Sequence, residues 1–277
     1  MLKDLLVHIP SERMPRPVVD AAVSLAIARN ARLQAVSIGY ETANIGVPLD
    51  GGAAVAAVFE MEHGRAQQRA DAALSVFEAE ARNAGISYSL KAITGTLYDT
   101  AAQVGAMARL ADLAILLQPD YERDTFDNAL PVELLFQSGG PVLFVPYIHK
   151  GPLDFKRIGI AWDGSRLAAR AVRDAAPFLS YAQEIAIISI NEPSKPENPS
   201  AEDLVAHLVR RGLKARIERT SAGGVDIQPT ILSVAADTGL EMIVMGAYGH
   251  SRLQERLLGG VTRDMLQSMT VPTLMTH

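Results

Sequence analysis

The sequence predicts an α/β protein built as two doubly wound, five-stranded parallel-sheet domains in tandem. The first observation is alternation, because short apolar runs take turns with stretches of helical period along the whole chain. The second is that several of these runs are apolar throughout, as expected of strands covered on both faces by helices. The third is duplication. Ser11 to Ala22 (SERMPRPVVDAA) and Ser165 to Ala176 (SRLAARAVRDAA) share Ser, Arg, Val, Asp, Ala and Ala in register. LFQSGGPVLFVP from Leu135 and MLQSMTVPTLMT from Met265 share Gln-Ser, a Pro and a short apolar run.

In the first half the expected strands are Leu5 to Ile9, Arg32 to Ile38, Tyr88 to Ile93, Leu113 to Leu117 and Val142 to Val145. In the second half Arg157 to Trp162 is the first strand, followed by a helical stretch from Leu167 to Leu179. Glu184 to Ile190 is a β-branched strand. Ala201 to Arg211 is a helix with Leu204, Leu208 and Val209 on one face. Lys214 to Glu218 alternates as a strand does. Ile227 to Thr238 is a helix ended by Gly239. Met242 to Met245 and Thr273 to Thr276 are the last strands. The spacing of the repeats shortens toward their ends, so the first half holds extra residues, assigned to the Gly/Ala-rich stretch Glu41 to Phe59, whose Gly46 to Ala54 reads as a loose loop in preference to a mobile lid. His149-Lys150-Gly151-Pro152 marks the junction, giving domains 1–149 and 150–277.

Composition removes several classes of function. The 277 residues include no cysteine, which excludes disulfides, thiolate zinc sites, iron–sulfur clusters and a cysteine nucleophile. Lys+Arg 26 against Asp+Glu 31, with no basic block, argues against nucleic-acid binding. No apolar run approaches the roughly 18 residues of a membrane span, so no membrane insertion is expected. The N-terminus lacks the apolar core and cleavage site of a signal peptide, and a cytoplasmic location is expected. The six histidines fall in no metal-ligand spacing, and no metal site is expected. Neither a nucleophile beside a base nor a carboxylate pair with a role is visible, so the chain reads as a binding protein rather than an enzyme.

The residues with a case for function lie in the second half, where ligands of open α/β sheets bind beyond the carboxyl ends of the strands. The first strand runs into Ala161-Trp162-Asp163-Gly164-Ser165. The fourth runs into Gly246-Ala247-Tyr248-Gly249, and then Gly259-Gly260-Val261-Thr262 opens a helix. Glycines allow close backbone approach, and a helix N-terminus offers unpaired N–H groups to an anion. His250, beside Ser251 and Arg252, adds hydroxyl and cationic groups to a phosphate cradle or stands in solvent. Trp162 reads as a core residue, Ser11 and Ser165 as helix N-caps, and Asp99 and Asp226 as first-turn or capping carboxylates.

Gly246-x2-Gly249-x9-Gly259 after an apolar strand, with Asp163 ending the first strand, resembles the universal stress protein family. The likeness spans the chain as a tandem pair and is specific in the second half. It implies a Rossmann-like fold of the adenine nucleotide alpha hydrolase-like kind, with strand order 3-2-1-4-5 and a nucleotide at the switch point. By that resemblance Asp163 contacts adenosine and Ile190 lines its pocket. By the same resemblance Gly246, Gly249, Gly259 and Gly260 cradle the phosphates of ATP or another adenine nucleotide, with Mg as its companion ion; His250 and Val261, beside these glycines, complete the candidate set. The family pattern has Ser or Thr where this chain has Gly260, which removes a hydroxyl donor of about 0.5–1.5 kcal/mol. In the first half Ile9 takes the slot of Asp163, and Leu117-Gln118-Pro119-Asp120 replaces the glycine turn, so no nucleotide is expected there. The resemblance further implies a stress-response role, a homodimer, and Val142 to Val145 paired against Thr273 to Thr276 within one chain. A nucleotide-independent interaction module and a slow ATPase are the alternative readings.

Overall fold

The structure, a computed structural model, describes residues 1–41, 52–191, 197–223, 226–248 and 260–277. The chain divides into two units, one of Leu2–Ser138 with Lys150–Pro152, the other chiefly of Gly139–His149 with Leu153–His277.

The N-terminal unit holds β1 (Asp4–His8), β2 (Arg32–Tyr40), β3 (Tyr88–Gly95) and β4 (Leu113–Leu117). They lie side by side as β3-β2-β1-β4, all parallel. The helices are α1 (Arg16–Arg29), α2 (Gly52–Asn83), α3 (Leu97–Ala108) and α4 (Leu130–Gln137). A single 3-10 turn, Phe126–Asn128, precedes α4. Every residue of β4 is buried, as its unbroken run of apolar residues requires in a strand with both faces covered. The end of the Gly/Ala-rich stretch belongs to α2, so the loop expected over Gly46 to Ala54 is helical from Gly52 onward. Residues 42–51 of that stretch lie outside the described residues. Ala is the best helix former, and four of the seven residues from Gly52 to Val58 are Ala.

The C-terminal unit contains β5 (Val142–Val145), β6 (Arg157–Ala161), β7 (Glu184–Ile190), β8 (Ala215–Thr220), β9 (Met242–Gly246) and β10 (Thr273–Thr276). Their order is β5-β10-β9-β6-β7-β8, so the last five strands in sequence take the expected 3-2-1-4-5 arrangement. All neighbours are parallel except β5 and β10, which run antiparallel with Leu143 opposite Leu274. This is the expected pairing of Val142 to Val145 with Thr273 to Thr276. It covers two short apolar strands that would otherwise be edges. The helices of this unit are α5 (Arg166–Asp174), α6 (Ala176–Leu179), α7 (Ala201–Arg210), α8 (Ile227–Asp237) and α9 (Val261–Ser268).

Local chemistry accounts for the departures from expectation. The single helix expected from Leu167 to Leu179 is two, because Pro177 brings no N–H and starts α6 afresh. In α7, Ala201, Leu204 and Leu208 are buried, whereas Val209 is 56% exposed, so the apolar face excludes it. Ser200 and Asp203 form a reciprocal capping box at its start. Gly239 ends α8 with φ +61°, and Leu240 N–H closes the helix on Ala235 O at 2.8 Å. Among the described residues no helix is long and apolar enough to cross a membrane.

One glycine is demanded by packing in the N-terminal unit. A Cβ at Gly39, in β2, would fall directly on the backbone carbonyl of Ala66 in α2. Gly39→Ala should therefore lower stability by about 1–3 kcal/mol through overpacking. Urea unfolding checks this as a lower midpoint with unchanged slope.

Candidate functional site

The C-terminal site begins with the chain path. From β6 the chain moves to β7 on one side, and β9 lies on the other, with Ile158, Gly159 and Ile160 opposite Met242, Ile243 and Val244. The carboxyl ends of β6 and β9 therefore border the place where winding reverses, the usual ligand crevice of such a sheet. Asp163 leaves the end of β6, Ile190 ends β7, and Gly246 ends β9. Gly260 and Val261 begin α9. The expected site residues that the structure describes thus come to one end of one sheet. Gly249, His250 and Gly259 lie outside the described residues.

Each position has a local cause. Asp163 is exposed, and its Oδ1 accepts the Ser165 N–H at 2.9 Å, which fixes a tight turn at the end of the strand. Gly164 sits at φ +73° inside that turn, a conformation L side chains rarely adopt. Ser165 caps α5 by accepting the Ala168 N–H at 3.2 Å, as expected. Trp162 is buried, and its Nε1 donates to the Pro199 and Ser200 carbonyls at 3.1 and 3.2 Å. It is a core residue holding the start of α7. Gly246 is glycine for a packing reason, since a Cβ there would lie 2.7 Å from the Leu167 carbonyl carbon and 2.8 Å from the Ala168 nitrogen. The strand end and the first turn of α5 touch backbone to backbone.

The start of α9 supports an anion best. Its N-cap, Gly260, has no side chain to accept first-turn N–H groups, and among the described residues no side-chain cap bond is made there. The hydroxyl of Thr262 is engaged with the loop itself, accepting Tyr248 N–H at 3.0 Å while Tyr248 takes φ +55°. This bond places the first turn of α9 against the end of β9. Asp264, in that first turn, is the one acidic residue there.

The N-terminal unit is built differently at the same end of its sheet. Ile9 N–H donates to Val36 O as Trp162 N–H donates to Ile188 O, so the two residues are structural counterparts. Pro10 rather than Ile9 therefore stands in the slot of Asp163, a one-residue correction, and no carboxylate is supplied either way. Ser11 is not an N-cap. Its hydroxyl bonds the Ile38 carbonyl, and α1 starts later, at Arg16 behind Pro15. The crevice is crossed by side chains of the chain itself. Arg13 Nη1 donates to Gln118 O at 2.8 Å and to Asn128 Oδ1 at 3.2 Å. Below it lie His8 from β1, Tyr40 from β2 and Asp127 from the turn before α4, all buried. Composition and motif spacing did not single out any of these three.

Burial lowers the pKa of the His8 imidazole to about 3, and the nearby Arg13 charge pushes the same way. Burial raises the Asp127 carboxyl to about 7, and the Glu12 charge adds to this, while the Glu12 backbone N–H, Arg13 and Tyr40 partly offset it. Burial, with Asp127 and Glu12 beside it, pushes the Tyr40 hydroxyl well above its ordinary value. His8 Nε2 and Asp127 Oδ1 are 3.8 Å apart, and at neutral pH the pair is not an ion pair because His8 carries no charge.

The C-terminal geometry defines a Rossmann-like domain with an uncapped helix start at its switch point. Residues 154–277 match the model of the Universal stress protein family. In fold, the chain is similar to a universal stress protein from Archaeoglobus fulgidus DSM 4304, at 14% identity and TM-score 0.74, with 98% of this chain and 95% of that one covered. It is also similar to a protein of unknown function from Pseudomonas aeruginosa PAO1, at 18% identity and TM-score 0.61, covering 99% and 92%. No curated protein matches the chain by sequence. Across its whole length the chain therefore carries the universal stress protein fold.

The Tyr248–Thr262 bond generates a prediction. Thr262→Val keeps the volume but leaves a partly buried N–H without its acceptor, and should cost about 1–3 kcal/mol. Urea unfolding measures the loss, and Thr262→Ser should recover most of it.

Proposed function

We propose that the C-terminal half binds an adenine nucleotide, ATP foremost, at the carboxyl ends of β6, β7 and β9, and that the protein acts by binding rather than by catalysis. The observation that carries this reading is the meeting of Asp163, Gly246 and the uncapped start of α9 at one switch point. Unpaired N–H groups and the positive end of a helix dipole suit a phosphate. The remaining carboxylate oxygen of Asp163 suits a ribose hydroxyl, and half-buried Ile190 suits the face of a base. The donor set fits the group. Mg, if it accompanies the nucleotide, belongs to the phosphates. The match of this half to the universal stress protein model supports the same assignment, as it does a stress-response role for a cytoplasmic homodimer. Hydrolysis is not part of the proposal. A nucleotide-independent interaction module is the second reading, favoured by Gly260 standing where a hydroxyl residue is the family pattern.

Calorimetric titration with ATP and AMP separates the two. The wild type should bind ATP, and Asp163→Ala should weaken both nucleotides alike through the lost ribose contact. Gly260→Ser restores a hydroxyl donor and should tighten ATP about tenfold, which is about 1.4 kcal/mol, while leaving AMP nearly unchanged. A gain of this kind cannot come from misfolding. Flat titrations of wild type and Gly260→Ser alike would remove the nucleotide reading and leave the interaction module. Gly246 is unsuited to this test, because a side chain there collides with α5 before it meets any ligand.

A further inference from the structure

The crevice of the N-terminal half is closed by two loops tied to each other reciprocally. Glu12 N–H donates to Asp127 Oδ2 at 3.0 Å, and Phe126 N–H donates to Glu12 Oε2 at 2.9 Å. Arg13 reaches across to Gln118 O and Asn128 Oδ1, and Asn128 in turn holds its own loop by accepting Asp120 N–H at 2.8 Å and donating to the Arg123 carbonyl at 2.7 Å. The Phe126 ring leans on Tyr40, with centroids 5.4 Å apart. Beneath this latch three polar atoms find no well-formed hydrogen bond: His8 Nε2, Tyr40 Oη and Asp127 Oδ1. His8 and Asp127 are each 3% exposed.

The facing atoms of this buried acid and buried base do not bond each other, and the Glu12 N–H on Asp127 Oδ2 with Arg13 nearby offsets only part of the cost of burying a charge there. Separated charges at such a place cost several kcal/mol per ion, and the neutral forms win. The groups facing Asp127 are His8 from β1, Glu12 and Arg13 from the following loop, and Tyr40 from β2. On its own loop Asp120 is paired with Arg123 at 3.0 Å, and Asp124 is exposed. Arg13 opposes a charge on His8, and Glu12 opposes one on Asp127.

We propose that the latch is a proton-conserving switch: closed, it holds Asp127 as the neutral acid and His8 as the neutral base, and opening moves the proton from Asp127 to His8. On opening, the O–H of the Asp127 carboxyl breaks and an N–H forms on the His8 imidazole, with water carrying the proton. The number of bound protons is unchanged. The sign of each half follows from the shifts. Asp127, raised from 3.8 to about 7 when closed, sheds a proton on opening, so by itself it favours opening as pH rises across that window. His8, lowered from 6.5 to about 3, takes up a proton on opening, so by itself it favours opening as pH falls. Between about pH 4 and 6.5 the two cancel. Opening then turns a neutral crevice floor into a charged one at the place corresponding to the proposed nucleotide site of the other half, without sensing the acidity of the surroundings.

Hydrogen exchange of the full-length protein, with mass or NMR detection at the Phe126 and Asp120 amides and the intrinsic rate divided out, tests this from about pH 4.5 to 6.5. Wild-type opening should change less than threefold over that range. Asp127→Asn should open up to about tenfold more per pH unit of acidification, and His8→Gln up to about tenfold more per unit of alkalinisation. The opposite slopes are the signature. Should either variant fail to fold, the imidazole nitrogen shifts of His8 in the wild type decide, since the closed state must stay neutral down to pH 4. A wild-type slope near tenfold per unit, equal slopes in the two variants, or a protonated His8 at pH 5 would overturn the proposal.

Discussion

The parallel pairing of β6 with β9 is the constraint from which the C-terminal half follows. Because β6 sends the chain toward β7 while β9 returns on its other flank, the two carboxyl ends bound a crevice that no crossover helix can fill. Closing the layers around it forces the end of β9 against the first turn of α5, and only glycine fits at 246. The chain must then turn sharply out of β9, which Tyr248 does in a left-handed conformation pinned by Thr262. That pin sets the start of α9 at the crevice. Gly246, whose motif reads in sequence as a phosphate cradle, thus has a packing role of its own in helix–strand contact.

The two halves solve the same geometric problem in opposite ways. In the C-terminal half the helix start is left without a capping side chain. In the N-terminal half the corresponding end of the sheet is occupied by Arg13, Asn128 and the Glu12–Asp127 ties, with Pro119 removing a donor after β4. The two halves share the order of their first four strands, and their strand ends differ. The first half keeps buried ionisable groups where the second keeps backbone donors. Buried groups without full partners are costly to stability, which points to a use beyond scaffolding.

Much of this was legible in the sequence. The strands of both units show as short apolar runs because parallel strands are covered on both faces. Asp163, Gly246 and Gly260 show because their spacing is a motif. Other features depend on facts that a linear pattern does not carry. Ser11 resembles Ser165 in its segment, yet Pro15 starts the helix later and frees the hydroxyl for β2. Val209 has the period of a buried face but lies just outside the arc that α7 buries. The His8–Asp127 cluster was invisible, because its ties, such as Glu12 to Asp127, join residues 115 positions apart and its members belong to no motif. Only its shared burial reveals it.

The most direct test of the account is the backbone amide spectrum of the full chain as ATP is added. The account predicts shifts concentrated at Asp163, Ile190, Gly260 and Val261, saturating together, with Ile9, Glu12 and Phe126 of the other half unmoved. Shifts centred on the Arg13–Asp127 crevice, or none at the start of α9 at saturating ATP, would contradict it.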